Sequence, residues 1–306
     1  MPHPVVECVP NFSEGSDPRR VEAIVASMRG EGVRLLDWSR DPDQNRSIVT
    51  LAGDPGAVVE AADRGVGKAA ELIDLTRHDG THPRIGAADV IPFVPISGIT
   101  LEKCVLLARQ AGLEIWRRFS VPVYFYEAAA SRPDRANLEN VRQGQFEGLR
   151  DAARKDAARR PDVGGPGLHP TAGACAVGAR KFLVSYNIYL DSSDVAVARS
   201  VAREVRAAAL LKGVKALGIA AHGRACLSLN IGDFQATPVS DVYKTVSRLA
   251  ARHKTAPVEG EVIGLIPEAA CERESEWMRQ LIEFDPAAKI LENRLAAPLA
   301  WPEPAK

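Results

Sequence analysis

The residues best suited to chemistry sit in "HDGTHPRIG", where His78 and His82 stand four residues apart beside Arg84. On a helix that spacing would put both imidazoles on one face, as in a pair of metal ligands. Gly80, and above all Pro83, which lacks an N–H and disfavours the α region for the residue before it, predict a loop instead. On a loop the two histidines are free to do separate work. An imidazole that titrates near neutrality takes a proton from one nitrogen and returns it to another, which makes His82 the candidate acid–base group. Arg46, with Asn45 beside it, and Arg84, Arg180 and Lys181 are candidate holders of carboxylates. A metal bound by His78, Asp79, His82 and Asp89 is the competing reading of the same loop, because loop ligands need no helical spacing.

Other chemistries lack their sequence support. "GACAVGAR" has Ala179 where a phosphate-cradling loop needs lysine, and Arg180 where it needs Ser or Thr. There is no HExxH, no GxSxG at a plausible elbow and no GxGxxG after a strand. "GVGKAA" from Gly65 falls inside a helical pattern and reads as helix packing.

The elements that must position these residues appear in a regular order. A strand at Val5–Val9 leads through "PNFSEG" to a helix capped by Asp17, with Pro18 first and Val21, Ile24, Val25 and Met28 on one side. Strands at Val33–Trp38 and Ser47–Ala52 follow, then a helix from Asp54-Pro55 with Val59, Ala62, Val66, Ala69 and Ile73 on its apolar stripe. The strand "DVIPFVPI" contains Pro92 and Pro95 and is expected to be interrupted or at an edge. A helix from Thr100 to Phe119 and a strand at Val121–Tyr126 extend this βαββαβ unit. The same order recurs: strand Phe182–Leu190, a helix through Val197, Val201, Val205 and Ala208, strands Lys215–Ala221 and Ala225–Ile231 joined by a turn at "HGR", a helix through Val242, Val246, Leu249 and Ala250, and strand Glu261–Ile266. Split βαβ sheets with helices on one face are the architecture that order favours, an α+β class. Between the halves, residues 131–181 read as a long loop, too glycine-dense for a passive tether and long enough to be functional.

Composition sets the outer bounds. The 306 residues suffice for two domains, and Lys+Arg balances Asp+Glu at 39 each, so no strong field favours nucleic acid or an anionic membrane. Neither a signal peptide nor a membrane-spanning run is legible, which leads us to expect a cytoplasmic protein. Cys8, Cys104, Cys175, Cys226 and Cys271 are scattered without a CxxC pair and are expected to be reduced and mostly buried.

Taken together, "VECVPNFSEG", "NRSIVTLAG", "HDGTHPRIGAADVIPFVPI", "VPVYFYEAA" and "GARKFLVSYNIYL", with the later "LNIGDFQATPVSDVY" and "GEVIGLIP", resemble in order and spacing the formiminotransferase-domain family. The match runs over essentially the whole chain. It implies transfer of a formimino group from N-formimino-L-glutamate to N5 of tetrahydrofolate, a step of histidine breakdown, with tetrahydrofolate as co-substrate and no metal. It also implies a homodimer of chains with two split-βαβ (ferredoxin-like) subdomains, here 1–181, including the connecting segment 161–181, and 182–306, with folate bound in a cleft between them.

The family's catalytic histidine falls on His82. Its folate-contacting glycine-rich segment falls on Gly164, Gly165, Pro166, Gly167 and Leu168, continuing through His169, Pro170, Thr171, Ala172 and Gly173. Substrate contacts are expected at Asn45, Arg46, Arg84, Arg180 and Lys181 as well. Bifunctional members continue into a cyclodeaminase, so a chain ending at Lys306 is expected to be the stand-alone form. Formyl transfer between 5-formyltetrahydrofolate and glutamate, and folate binding without turnover, are the alternatives on the same residues.

Overall fold

The computed structural model describes residues 3–303. These form two compact units, one reaching to Arg180 and taking in the stretch from Pro298, the other spanning Lys181–Ala297. In the first unit β1 (Val5–Cys8) and β2 (Asn11–Phe12) are one strand broken at Val9-Pro10, followed by α1 (Pro18–Ser27), β3 (Val33–Asp41), β4 (Arg46–Gly53), α2 (Pro55–Leu72) and β5 (Ala88–Ser97). β3 pairs with β4, β4 with β1 and β2, and these with β5, all antiparallel. That is the strand order of a split βαβ sheet.

Local chemistry explains the helices. Asp17 caps α1 by accepting from the Arg19 N–H (2.9 Å), Pro18 fills a first-turn position where an N–H would be unpaired, and Val21, Ile24 and Val25 are buried. An added Cβ at Gly65 of α2 would lie 3.1 Å from Met28, so the absence of one lets the helices close.

The first unit differs from the sequence reading in the run between the halves. The run taken as one long loop contains β7 (Cys175–Ala179), a fully buried strand inserted in parallel between β5 and β6 (Val123–Glu127), which follows α3 (Leu101–Phe119). The same run contains α4 (Leu138–Val141) and α5 (Gln145–Lys155), the latter seating Phe146, Leu149 and Ala153 in the core. β5 is central, and its ladder is interrupted, one of the two outcomes its prolines predict. Pro95 adjoins a register shift opposite Val5/Val6, and Pro92 faces the Val9-Pro10 break, its carbonyl accepting from the Val9 N–H (3.3 Å).

The second unit runs β8 (Val184–Leu190), α6 (Val195–Ala207), β9 (Val214–Ala221), β10 (Arg224–Ile231), α7 (Val239–Arg252) and β11 (Pro257–Ile263), in the sheet order β11-β8-β10-β9. The β9–β10 hairpin turns on His222 (φ 49°) and Gly223 (φ 72°), the two positive-φ positions that a two-residue hairpin requires. β11 starts and ends earlier than Glu261–Ile266 because Gly264 (φ 72°) turns the chain, and Ile266 bridges Ile290 instead. The end of the chain also departs from the expected 182–306 grouping. The Leu299 N–H donates to Leu35 O (2.7 Å), and Leu299 and Trp301 pack on the first core, covering the otherwise open edge of β3. All five cysteines are free, and four are buried.

Candidate functional site

One rim of the first sheet collects the polar side chains. The strand directions place there the end of β2, the starts of β4 and β5, and the start of β7. Asn11, Phe12, Ser13, Asn45, Arg46, His78, His82, Arg84 and Asp89 line one small recess at this rim. Ser13 ties β2 to β5, its Oγ donating to Gly86 O (2.7 Å) and its N–H to Ala87 O (2.9 Å). Asn45 adopts a left-handed conformation (φ 48°) and binds three segments together: its Oδ1 accepts from the N–H groups of Gly15 (2.9 Å) and Ser16 (3.2 Å), and its Nδ2 donates to Asp79 O (2.7 Å).

The two histidines are in opposite situations. His78 Nδ1 accepts from Arg84 Nε (3.1 Å), which leaves its Nε2–H to donate to Asn45 O (3.2 Å), so both nitrogens serve the loop. A guanidinium can only donate, so the ring nitrogen of His82 that meets Arg46, Nε2, is its accepting, basic nitrogen. That nitrogen lies 2.7 Å from Arg46 Nη1, which donates to it. Burial, then the charges of Arg46 and Arg142, push the His82 pKa down to about 4, opposed by Asp89; the imidazole is neutral at pH 7.

Behind the loop stands a layer in which the sequence reading named Asp89 and Arg84 but none of their partners. Asp89 is 3% exposed; its Oδ1 accepts from the Ile85 N–H (2.7 Å), and its Oδ2 takes Arg142, the residue that ends α4. Arg84 reaches both carboxylate oxygens of Glu147 (2.7 and 3.0 Å) and Gln145 (3.1 Å), while the Phe146 N–H donates to Arg84 O (2.9 Å). Asn11 completes the set by accepting from Arg46 Nη2. Asn11 and Ser13 lie in the quoted "PNFSEG" without a role assigned to them. Nothing in the polar run around Arg142, Gln145 and Glu147 marks these residues out before the fold brings them back.

The expected site residues separate into groups. Asn45, Arg46, His82 and Arg84 meet in the recess, although the Arg84 guanidinium is already saturated by protein partners. Ala172 and Gly173 adjoin it through backbone: Ala87 N donates to Ala172 O and Ala174 N to Ile85 O (2.9 Å each), with Leu75 N to Thr171 O (2.9 Å) alongside. His169 folds onto its own loop, Nδ1 accepting from the Ala172 N–H (3.0 Å), and Leu168 is buried. Gly164, Gly165, Pro166 and Pro170 are exposed, and Gly164 packs against Trp116 and Gly167 against Arg154. Arg180 follows the far end of β7; at about 3.3 Å per residue that is roughly 16 Å from Cys175 at the rim. Lys181 belongs to the second unit, where Asp233 pairs with it. Among the described residues no three or more His, Cys, Asp or Glu side chains converge as a metal site, and His78 and Asp89 are engaged by arginines.

Residues 5–180 match the model of the formiminotransferase domain, N-terminal subdomain, and residues 185–283 match that of the formiminotransferase domain. The chain belongs to the formiminotransferase family. Among its curated relatives, the glutamate formimidoyltransferase of Streptococcus pyogenes serotype M1 is 41% identical over 95% of this chain and 98% of its own length. That of Thermoplasma acidophilum is 41% identical over 95% and 97%. The formimidoyltransferase-cyclodeaminase of Mus musculus is 35% identical over 95% of this chain and 56% of its own length. The formiminotransferase N-terminal match thus contains every residue of the recess.

Proposed function

We propose that this chain transfers the formimino group of N-formimino-L-glutamate to N5 of tetrahydrofolate and releases glutamate. The observation that carries the reading is His82: a neutral imidazole whose tautomer is set by the Arg46 donor, with Nε2 turned to a cationic recess in a chain of this family. N5 attacks the formimino carbon and gives a tetrahedral centre bearing three nitrogens. His82 Nε2 takes the proton that N5 must lose and returns it to the glutamate nitrogen as the carbon–nitrogen bond to glutamate breaks. The net exchange moves one carbon and leaves the proton count unchanged, so a single acid–base group suffices. Cationic side chains around the recess favour a donor that carries carboxylates. The strip through Gly173, tied to residues 85–87, is where we place backbone contacts to the pterin. The family reading also carries a homodimer located in the cytoplasm.

Steady-state transfer from N-formimino-L-glutamate to tetrahydrofolate, after chelation, tests this for wild type and His82→Ala. The expected result is folate-dependent turnover that falls by two to four orders of magnitude in the variant, the span typical of an acid–base group, while tetrahydrofolate affinity is kept. No turnover in wild type overturns the reading, and activity with 5-formyltetrahydrofolate and glutamate would replace it with formyl transfer on the same residues.

A further inference from the structure

His82 in the free protein is a base with its lone pair already in use. Arg46 Nη1 donates to Nε2 at 2.7 Å, and no imidazole accepts a substrate proton on a nitrogen that is capped in this way. Arg46 itself is incompletely served: its Nη2 has Asn11, but its Nε is buried without a partner among the described residues, as is the Nε of Arg142. The charged groups facing the imidazole are Arg46 from β4, Arg142 from the end of α4 and Asp89 from β5. Asp41, at the end of β3, adds a weaker field on Arg46. Two guanidinium groups face one buried carboxylate, so the recess is one anion short of balance.

We propose that Arg46 is the receptor for a carboxylate of the donor and that, until one arrives, it caps His82, so that the glutamate moiety uncovers the base it is about to need. A carboxylate offers Arg46 a charged, two-oxygen acceptor, which a neutral imidazole nitrogen cannot match. Its negative charge also fills the deficit beside Arg142. Once Arg46 turns away, Nε2 is free, and the cation that most depresses its basicity is neutralised. The inference rests on the transfer reading for the identity of the donor, but the cap is a property of these four side chains. It gives an unloaded folate no competent base.

The test follows the His82 ring by NMR titration of the full chain, free and with saturating L-glutamate, in wild type and Arg46→Gln. Parallel samples carry the diamide of glutamate, which has the same skeleton without carboxylates, and steady-state transfer is measured on the same preparations. Glutamate is expected to raise the proton affinity of His82 at least tenfold from its free value near pH 4, and the diamide is expected to leave it unchanged. In Arg46→Gln the free value is already raised, and glutamate no longer moves it. Should that variant not fold, the wild-type comparison of glutamate with the diamide still decides. Transfer without a glutamate-induced shift overturns the cap and leaves the transferase reading intact. The shift without transfer overturns the transferase reading and leaves Arg46 as a carboxylate receptor, and absence of both overturns the two together.

Discussion

Replacing Asp89 with Asn tests whether the charge layer behind the loop sets the properties of His82. The substitution keeps Oδ1 in place to accept the Ile85 N–H, so the loop's backbone anchor survives. It removes the carboxylate charge that Oδ2 presents to Arg142. The side chains of this pair are 14% and 4% exposed, which leaves Arg142 a buried cation facing Arg46 with no anion beside it. Breaking a buried ion pair costs about 3–5 kcal/mol, and the surviving Ile85 bond places this variant at the lower end. At 2–4 °C per kcal/mol for a unit of this size, about 3 kcal/mol lowers the Tm by roughly 6–12 °C. Urea unfolding measures the stability change directly. Asp89 also opposes the depression of the His82 pKa, so its loss weakens the base further. The acid limb of kcat/KM moves to lower pH and the plateau falls. Adding Arg142→Met removes the orphaned cation and restores most of the stability. A single variant within about 1 kcal/mol of wild type, or a double variant no better than the single, would refute the account of Asp89 as counter-ion.

Other perturbations have equally definite outcomes. Burial raises the Glu7 carboxyl to about 7, opposed by Arg180. The folded pKa lies above the unfolded one, so its contribution is full below pH 4.5 and is lost as pH rises through 7. Glu7→Gln is therefore expected to gain about 3 kcal/mol relative to wild type between pH 5 and pH 8 in denaturant titrations. The sign is opposite for His82, whose folded pKa is depressed: stability present above pH 6.5 is lost as pH falls toward 4, and in His82→Gln that acid-side loss of about 3 kcal/mol disappears from melts run across the interval. Gly86→Ala would put a Cβ 2.1 Å from Ala174 O, within the backbone contact that ties the loop to the segment before β7. Calorimetry is expected to show about 2–3 kcal/mol of destabilisation. Arg84→Lys replaces a fork that serves Glu147, Gln145 and His78 with a single ammonium, and a loss of about 1–3 kcal/mol by urea unfolding is expected.

Much of the frame was readable because local signals and tertiary packing agreed. Asp17-Pro18, the apolar stripes of α1, α2 and α3, and the positive-φ turn at His222-Gly223 each specify their element without help from distant residues. β7 was not readable in this way. "CAVGA" is short and contains glycine, and its strand state depends on two parallel neighbours, β5 and β6, that are remote in sequence. α5 hid its apolar positions, Phe146, Leu149 and Ala153, among Glu147, Arg150, Asp151, Arg154 and Lys155. His82 stood out by context and family resemblance. Arg142 could not, because its relation to Asp89 exists only once α4 is folded back against the start of β5.

The contrast between the two units lies in what the first adds to the shared sheet. Both carry the same antiparallel four-strand order, yet other side chains occupy the rim of the second unit that corresponds to the His82 rim. There Asp191, just after β8, accepts from Thr255 Oγ1 and from the Ala256 N–H (2.8 Å), and Arg224 at the start of β10 faces Glu259 at 3.8 Å in an exposed pair. In the first unit the sheet grows by β6 and β7, and the connection between them must travel from one end of the sheet to the other. On the way it delivers Arg142, Gln145 and Glu147, and then the backbone of 171–174, to the start of β5. Asn11 and Arg46 belong to the frame, but the charge that depresses His82 from behind and the clamp that holds its loop both come from the insertion. The insertion thus adds Arg142 and the Arg84 clamp to a rim that the common sheet already supplies with Arg46, and changes along residues 138–155 should alter the acid–base behaviour of His82 without touching the core strands.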